Sequence, residues 1–194
     1  PRFTLVQKKQ GLEGSLWNAG PISDTRDAYE VIANGPVRSI MKIKTMNWNT
    51  SAGSYEVEQY YTAYAHQSYS TCRVNFKQFQ TSRPGVTMGC GMRRKPEVKE
   101  ELFKEDGIII SSGPERIKDP ENIDDREELT VSFIGKALVV KDQYRPSYQY
   151  TEDYGGNHTL RVSPYAEDPC AAVYDAAWSE GAVYNNQEDF EEYV

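Results

Sequence analysis

The sequence predicts an all-β fold, an antiparallel β-sandwich with a short C-terminal helix. Apolar and polar residues alternate along short runs with the period of half-buried strands. Turn residues recur roughly every ten positions, with almost no long helical periodicity between them. Fourteen Tyr and three Trp lift the aromatic fraction to 12%, far above a disordered chain, although hydrophobic residues make up only 38%. A closed barrel satisfies the same pattern.

The elements follow in order. Phe3 to Val6 reads as a short strand, and Gly11 to Gly20 as a loop holding Trp17. Asp24 to Tyr29 leads into a strand that ends at Asn34-Gly35-Pro36, where φ is free and then fixed, so the chain must turn. Val37 to Met46 interleaves β-branched and long apolar residues with Arg38, Lys42 and Lys44, as a strand with one wet face does, making 27–46 a hairpin. After a polar turn at Asn47 to Ser54, Tyr55, Val57, Gln59 and Tyr61 alternate with Glu56, Glu58, Tyr60 and Thr62. A break at Gln67-Ser68 precedes a strand from Thr71 to Phe79, and Val86 to Met92 is a further short strand. Arg93 to Asp106 and Pro114 to Glu128 read as charged, exposed loops on either side of Ile108 to Ser111. Leu129 to Ile134 and Lys136 to Lys141 form a strand pair, or one strand bulged at Gly135. Arg161 to Ser163 and Ala172 to Trp178 are the last extended pieces. Asn186 caps a closing helix with Glu188 and Asp189 in its first turn and Phe190 and Tyr193 on one face.

At 194 residues the chain is long enough to bury one core, so 1–194 is taken as a single domain. A net charge of -7 disfavours nucleic acid as a partner. No apolar run reaches the roughly 20 residues of a membrane-spanning helix. The opening PRFTLVQKKQ has neither Met nor a signal peptide, as in a processed protein or a piece of a longer one. Cys72, Cys90 and Cys170 lack metal-ligand spacing, and buried thiols are expected ahead of a disulfide.

The chain has no GxSxG, HExxH, P-loop or GxGxxG, so no metal or cofactor is expected and any chemistry must come from scattered residues meeting in a cleft. The acidic stretch Asp119 to Glu128 lacks the spaced Asp/Asn-Gly pattern of a calcium loop. His66 and His158 are the only histidines, hence the first candidates for a general base. In EDYGGNHTLRV, a glycine loop brings Tyr154, Asn157, His158 and Arg161 into one stretch. A β-eliminating lyase needs a group that neutralises a uronate carboxylate, a base for the C5 proton and an acid for the leaving oxygen, and Arg, His and Tyr fill those roles without a metal. The bland reading is a polar hairpin loop. Arg38 is a candidate for a carboxylate, and Tyr64, Asn157 and Trp48 for binding a sugar, whose C–H faces suit aromatic rings. Each also has an ordinary place, Arg38 on a wet strand face and Trp48 in the core.

Four stretches carry a resemblance: ANGPVRSIMKI, YYTAYAHQSYSTCRVNF, PGVTMGCGMRRKP and the closing AAWSEGAVYNNQEDFEEYV. Together they resemble the bacterial domain-of-unknown-function family 4861, in order from about Tyr29 to the end. The resemblance implies a mutarotase-like β-sandwich, corresponding to the C-terminal half of longer secreted, periplasmic or cell-surface proteins that accompany polysaccharide degradation. It places a small-residue turn where Ala65-His66-Gln67-Ser68 stands, so His66 is not carried over as a family residue. The function it implies is action on complex, uronate-bearing polysaccharide or oligosaccharide, as a lyase or hydrolase. A non-catalytic carbohydrate-binding or structural module and a mutarotase-type epimerase are the competing readings. The sequence sets no oligomeric state.

Overall fold

The structure is a computed structural model that describes residues 2–9, 12–15, 25–50, 52–94, 100–118, 128–152, 156–162, 170–179 and 183–194. The strands are β1 (Arg2–Lys9), β2 (Leu12–Ser15), β3 (Arg26–Asn34), β4 (Arg38–Thr50), β5 (Gly53–Tyr64), β6 (Ser70–Thr81), β7 (Val86–Arg93) and β8 (Glu101–Glu105). They continue with β9 (Ile108–Ser112), β10 (Glu115–Lys118), β11 (Glu128–Val131), β12 (Ile134–Val140), β13 (Ser147–Thr151), β14 (Asn157–Val162) and β15 (Cys170–Trp178), and α1 (Gln187–Tyr193) ends the chain.

Eight strands form a large sheet in the order β3-β4-β5-β6-β15-β12-β9-β8, and five form a smaller one, β13-β14-β7-β1-β2. Neighbouring strands in both are antiparallel, and β10 pairs with β11 in a separate ribbon. The expected sandwich is therefore present. Tyr55, Val57, Cys72, Val74, Phe76, Leu138 and Val140 of the large sheet meet Val86, Met88, Cys90, Leu160 and Val162 of the small one in a single buried cluster. These positions alternate with polar ones, which is why the β5 and β6 patterns were legible.

The turn at Asn34-Gly35-Pro36 is present, closed by the Gly35 amide donating to the Arg38 carbonyl at 3.1 Å. The polar turn foreseen at Asn47 to Ser54 is shorter, because β4 runs on to Thr50 through an irregularity between Thr45 and Trp48, where Asn47 takes φ 56°. Arg93 to Asp106 is not all loop: β8 pairs with β9 along the sheet edge, held by its backbone while its side chains stay exposed. Within Pro114 to Glu128, Glu115–Lys118 is likewise a strand, paired with β11. Gly135 makes no bulge. A side chain there would stand inside the Phe190 ring, so the glycine admits the helix onto β12.

The helix forms where its cap predicts, with Asn186 Oδ1 accepting from the Asp189 amide at 3.0 Å. Phe190 is fully buried with Ile110, Phe133 and Ala137, on the face of the large sheet away from the core, while Tyr193 stacks on Tyr184 at 4.3 Å. Cys72 and Cys90 are buried thiols outside any disulfide. Trp17 and the side chains of Cys170 and Trp178 lie outside the described residues. Among the described residues no helix is long and apolar enough to cross a membrane.

Candidate active site

At one side of the sandwich the edge strand of the large sheet, β8, and the edge strand of the small sheet, β13, bring a polar cluster together between the layers. His158 lies on β14 rather than in a glycine loop, because β14 begins at Asn157 and pairs on both sides, Tyr150↔His158 on β13 and His158↔Met92 on β7. Strand alternation turns His158 inward with Leu160 and Val162, and it is only 4% exposed.

Both imidazole nitrogens have partners. Nε2 is 3.1 Å from Glu100 Oε2 and Nδ1 is 2.9 Å from the Tyr148 hydroxyl. A carboxylate only accepts, so Nε2 carries the proton in the neutral ring, and Nδ1 accepts from Tyr148. Glu100 Oε1 also accepts from Ser111 Oγ at 2.5 Å. The result is a carboxylate–imidazole–phenol relay, in which the carboxylate fixes the tautomer and the ring is poised to take the phenol's proton. Burial, with Glu100 and Tyr150 nearby, pushes the Tyr148 hydroxyl up from its ordinary value, so at neutral pH it holds its proton as a donor.

Around this relay stand cations and a second phenol. Lys104 Nζ lies 4.3 Å from the centre of the Tyr148 ring. Arg94 Nη1 donates to the Tyr150 hydroxyl at 3.1 Å, and that hydroxyl donates to Glu152 Oε2 at 3.2 Å. Gly156, at φ 91°, makes room for this pair, since a side chain there would meet the Tyr150 hydroxyl and Arg94. Its carbonyl accepts from the Arg94 amide at 3.0 Å. Arg94, Lys104 and Glu152 are exposed, and the two Tyr rings are half-buried, so the relay is buried behind a rim of charge and aromatic surface.

The other residues named from the sequence fall elsewhere. Asn157 and Arg161 stand on β14 with parity opposite to His158, so their side chains leave from its other face. Tyr154 lies outside the described residues. Arg38 and Tyr64 are cross-strand partners at the far end of β4 and β5, and His66 occupies the next turn at φ 60° with Ala65 N–H donating to the Val37 carbonyl. Those three are brought together, but on another part of the molecule from His158. Trp48 packs on the core with its ring 5.7 Å from that of Tyr55.

The residues that sequence reasoning missed are Glu100, Arg94, Lys104, Tyr148 and Tyr150. Tyr148-Gln149-Tyr150 carried a usable signal, two aromatics on one side of a strand. Glu100 carried none, being one acid in a charged run.

The family model of a domain of unknown function, DUF4861, matches residues 13–194. The chain belongs to the DUF4861 family. The described strands account for most of the matched stretch, and the relay lies wholly inside it. A comparison with curated proteins gives no match.

Proposed function

We propose that this DUF4861 member acts on uronate-bearing carbohydrate by β-elimination, at the polar cluster where the edges of β8 and β13 meet. The observation that carries the reading is the relay from Glu100 through His158 to Tyr148, set behind Arg94 and Lys104. The two cations neutralise the uronate carboxylate, which makes the C5 proton easier to remove. Tyr148 passes its proton to His158 Nδ1 as it takes the C5 proton, and Glu100 stabilises the imidazolium that forms. The electron pair left at C5 expels the C4 oxygen, which Tyr150 protonates, leaving a C4–C5 double bond.

The test is to incubate the protein with a panel of uronate polysaccharides, following unsaturated-uronate absorbance and reducing ends together. A rise in both is expected, and Tyr148→Phe, which keeps the ring under Lys104 but removes the hydroxyl, should slow it by roughly 10²–10⁴-fold. Reducing ends without the absorbance would replace elimination by hydrolysis. A second reading, a carbohydrate-binding module without catalysis, is favoured by the burial of His158 and by its having partners at both nitrogens. Silence in both channels from folded protein that still binds glycan would select it.

A further inference from the structure

Among the described residues, α1 covers the face of the large sheet that points away from the core over β9, β12 and β15. Between the β3–β4 hairpin and β15 that face carries a different surface, laid out by cross-strand register. Arg38 pairs with Tyr64 at one end, and the Tyr64 and Tyr69 rings lie 5.6 Å apart, tilted by 48°. Four residues along β5, about 13 Å at the strand rise, Lys42 pairs with Tyr60 and Tyr60 with Arg73. Lys42 Nζ is 5.6 Å and the Arg73 guanidinium 5.5 Å from the centre of the Tyr60 ring. Thr62 and Thr71 pair between these two rows.

We infer that this face is a second carbohydrate-binding surface, which holds a strand of acidic polysaccharide across β4, β5 and β6. The inference takes its ligand class from the function proposed above but none of its catalysis. Two features support it. Half-buried Tyr rings in register with hydroxyl and guanidinium groups offer what a sugar chain offers in return, apolar ring faces and a rim of oxygens. The charges are also complementary: in a chain of net charge -7, Arg38, Lys42, Lys44, Arg73 and Lys77 outnumber Glu30, Glu56 and Glu58 on this face.

The most buried of those acids is already neutralised. Glu58 Oε1 is 2.8 Å from Lys42 Nζ, Oε2 is 3.4 Å from Lys77 Nζ, and the Tyr60 hydroxyl donates to Oε2 at 3.1 Å. Lys77 is the extra residue of the bulge opposite Glu56 and Val57, which aims it beneath Glu58. Arg73 is exposed and its guanidinium lies over the Tyr60 ring, a placement from which its N–H edge can meet a carboxylate. The relay lies between the two layers, against the inner side of this sheet at its β8 edge, so one bound segment does not occupy both places.

The experiment is affinity electrophoresis of the intact protein through gels containing polygalacturonate, alginate or neutral dextran, with turnover of a short oligouronate measured in parallel. The two acidic polymers should retard the wild type, and salt should weaken that retardation. Tyr69→Ala with Arg73→Gln should weaken it by at least about tenfold while leaving oligouronate turnover unchanged. Tyr148→Phe should do the reverse, losing turnover and keeping retardation. The inference is overturned if the acidic gels do not retard the wild type, if dextran retards it equally, or if the double variant, shown to be folded, migrates as the wild type does. Retardation without any turnover would keep this surface and retire elimination at the relay.

Discussion

Over β9, β12 and β15 the outer face of the large sheet is apolar and carries α1; over β4, β5 and β6 the outer face of the same sheet is charged and wet. Ile109 to Ser112 are buried on both sides of their strand, whereas β5 and β6 bury Val57, Val74 and Phe76 on one side and point Glu58, Arg73 and Lys77 to the other. The two halves share a backbone ladder and differ in what covers it. The covered half draws stability from packing, and the open half turns charged side chains outward, among them the exposed Lys77, whose ion pair contributes little.

The largest expected effect tests that contrast directly. Phe190→Ala removes a fully buried ring from the covered half and should destabilise by about 3–5 kcal/mol in urea unfolding. Lys77→Ala in the open half should cost less than about 1 kcal/mol. Equal losses would mean that the halves are stabilised alike. Next in size, Asn186→Ala deletes the cap and should cost about 1 kcal/mol; helix content measured by circular dichroism should fall before the sheet melts, and a single unchanged transition would show that packing alone holds α1.

Smaller still is a difference in pH dependence between two carboxylates, one from each half. For Glu58, burial pushes the carboxyl up, but the hydrogen bonds from Lys42, Tyr60 and Lys77 outweigh it and the net shift is downward. A carboxyl held below its unfolded value contributes stability above about pH 4, and this is lost as pH falls through the folded value. Asp175 on β15 accepts from the Ala176 amide at 2.7 Å and from Ser68 Oγ at 3.2 Å, which do not offset its burial, so it is raised. Its sign is opposite: stability is greatest below the unfolded value and falls as pH rises through the folded one. Glu58→Gln should therefore lower stability at neutral pH and flatten the acid side of the curve, while Asp175→Asn should raise stability at neutral pH. Urea midpoints across the acid range measure both, and shifts of the same sign would undo the distinction.

The legible parts of the sequence were those where one face is buried and the other wet. The alternation at Tyr55 to Tyr61, the Asn34-Gly35-Pro36 turn and the Asn186 cap each declare themselves within a few residues. The β8 strand does not, because both its faces are exposed and only its backbone holds it to β9. The relay failed for a related reason. Gly155-Gly156 suggested a loop around His158, yet the partners that make His158 interesting, Glu100 and Tyr148, are 58 and 10 residues away in the chain. Pairing across two sheets made that juxtaposition, and no local pattern encodes it.

One thiol lies on each layer of the sandwich: Cys72 on β6 of the large sheet and Cys90 on β7 of the small one, both fully buried. Both are free thiols, so this pair does not staple one layer to the other. Each sulfur is shielded by the opposite layer, and alkylation of either waits until the layers part. With Cys170 replaced by Ser, singly retained Cys72 and Cys90 should be labelled at the same slow rate if the sandwich opens as a unit. Faster labelling of one would locate the layer that peels first, giving the fold an internal clock for its own separation.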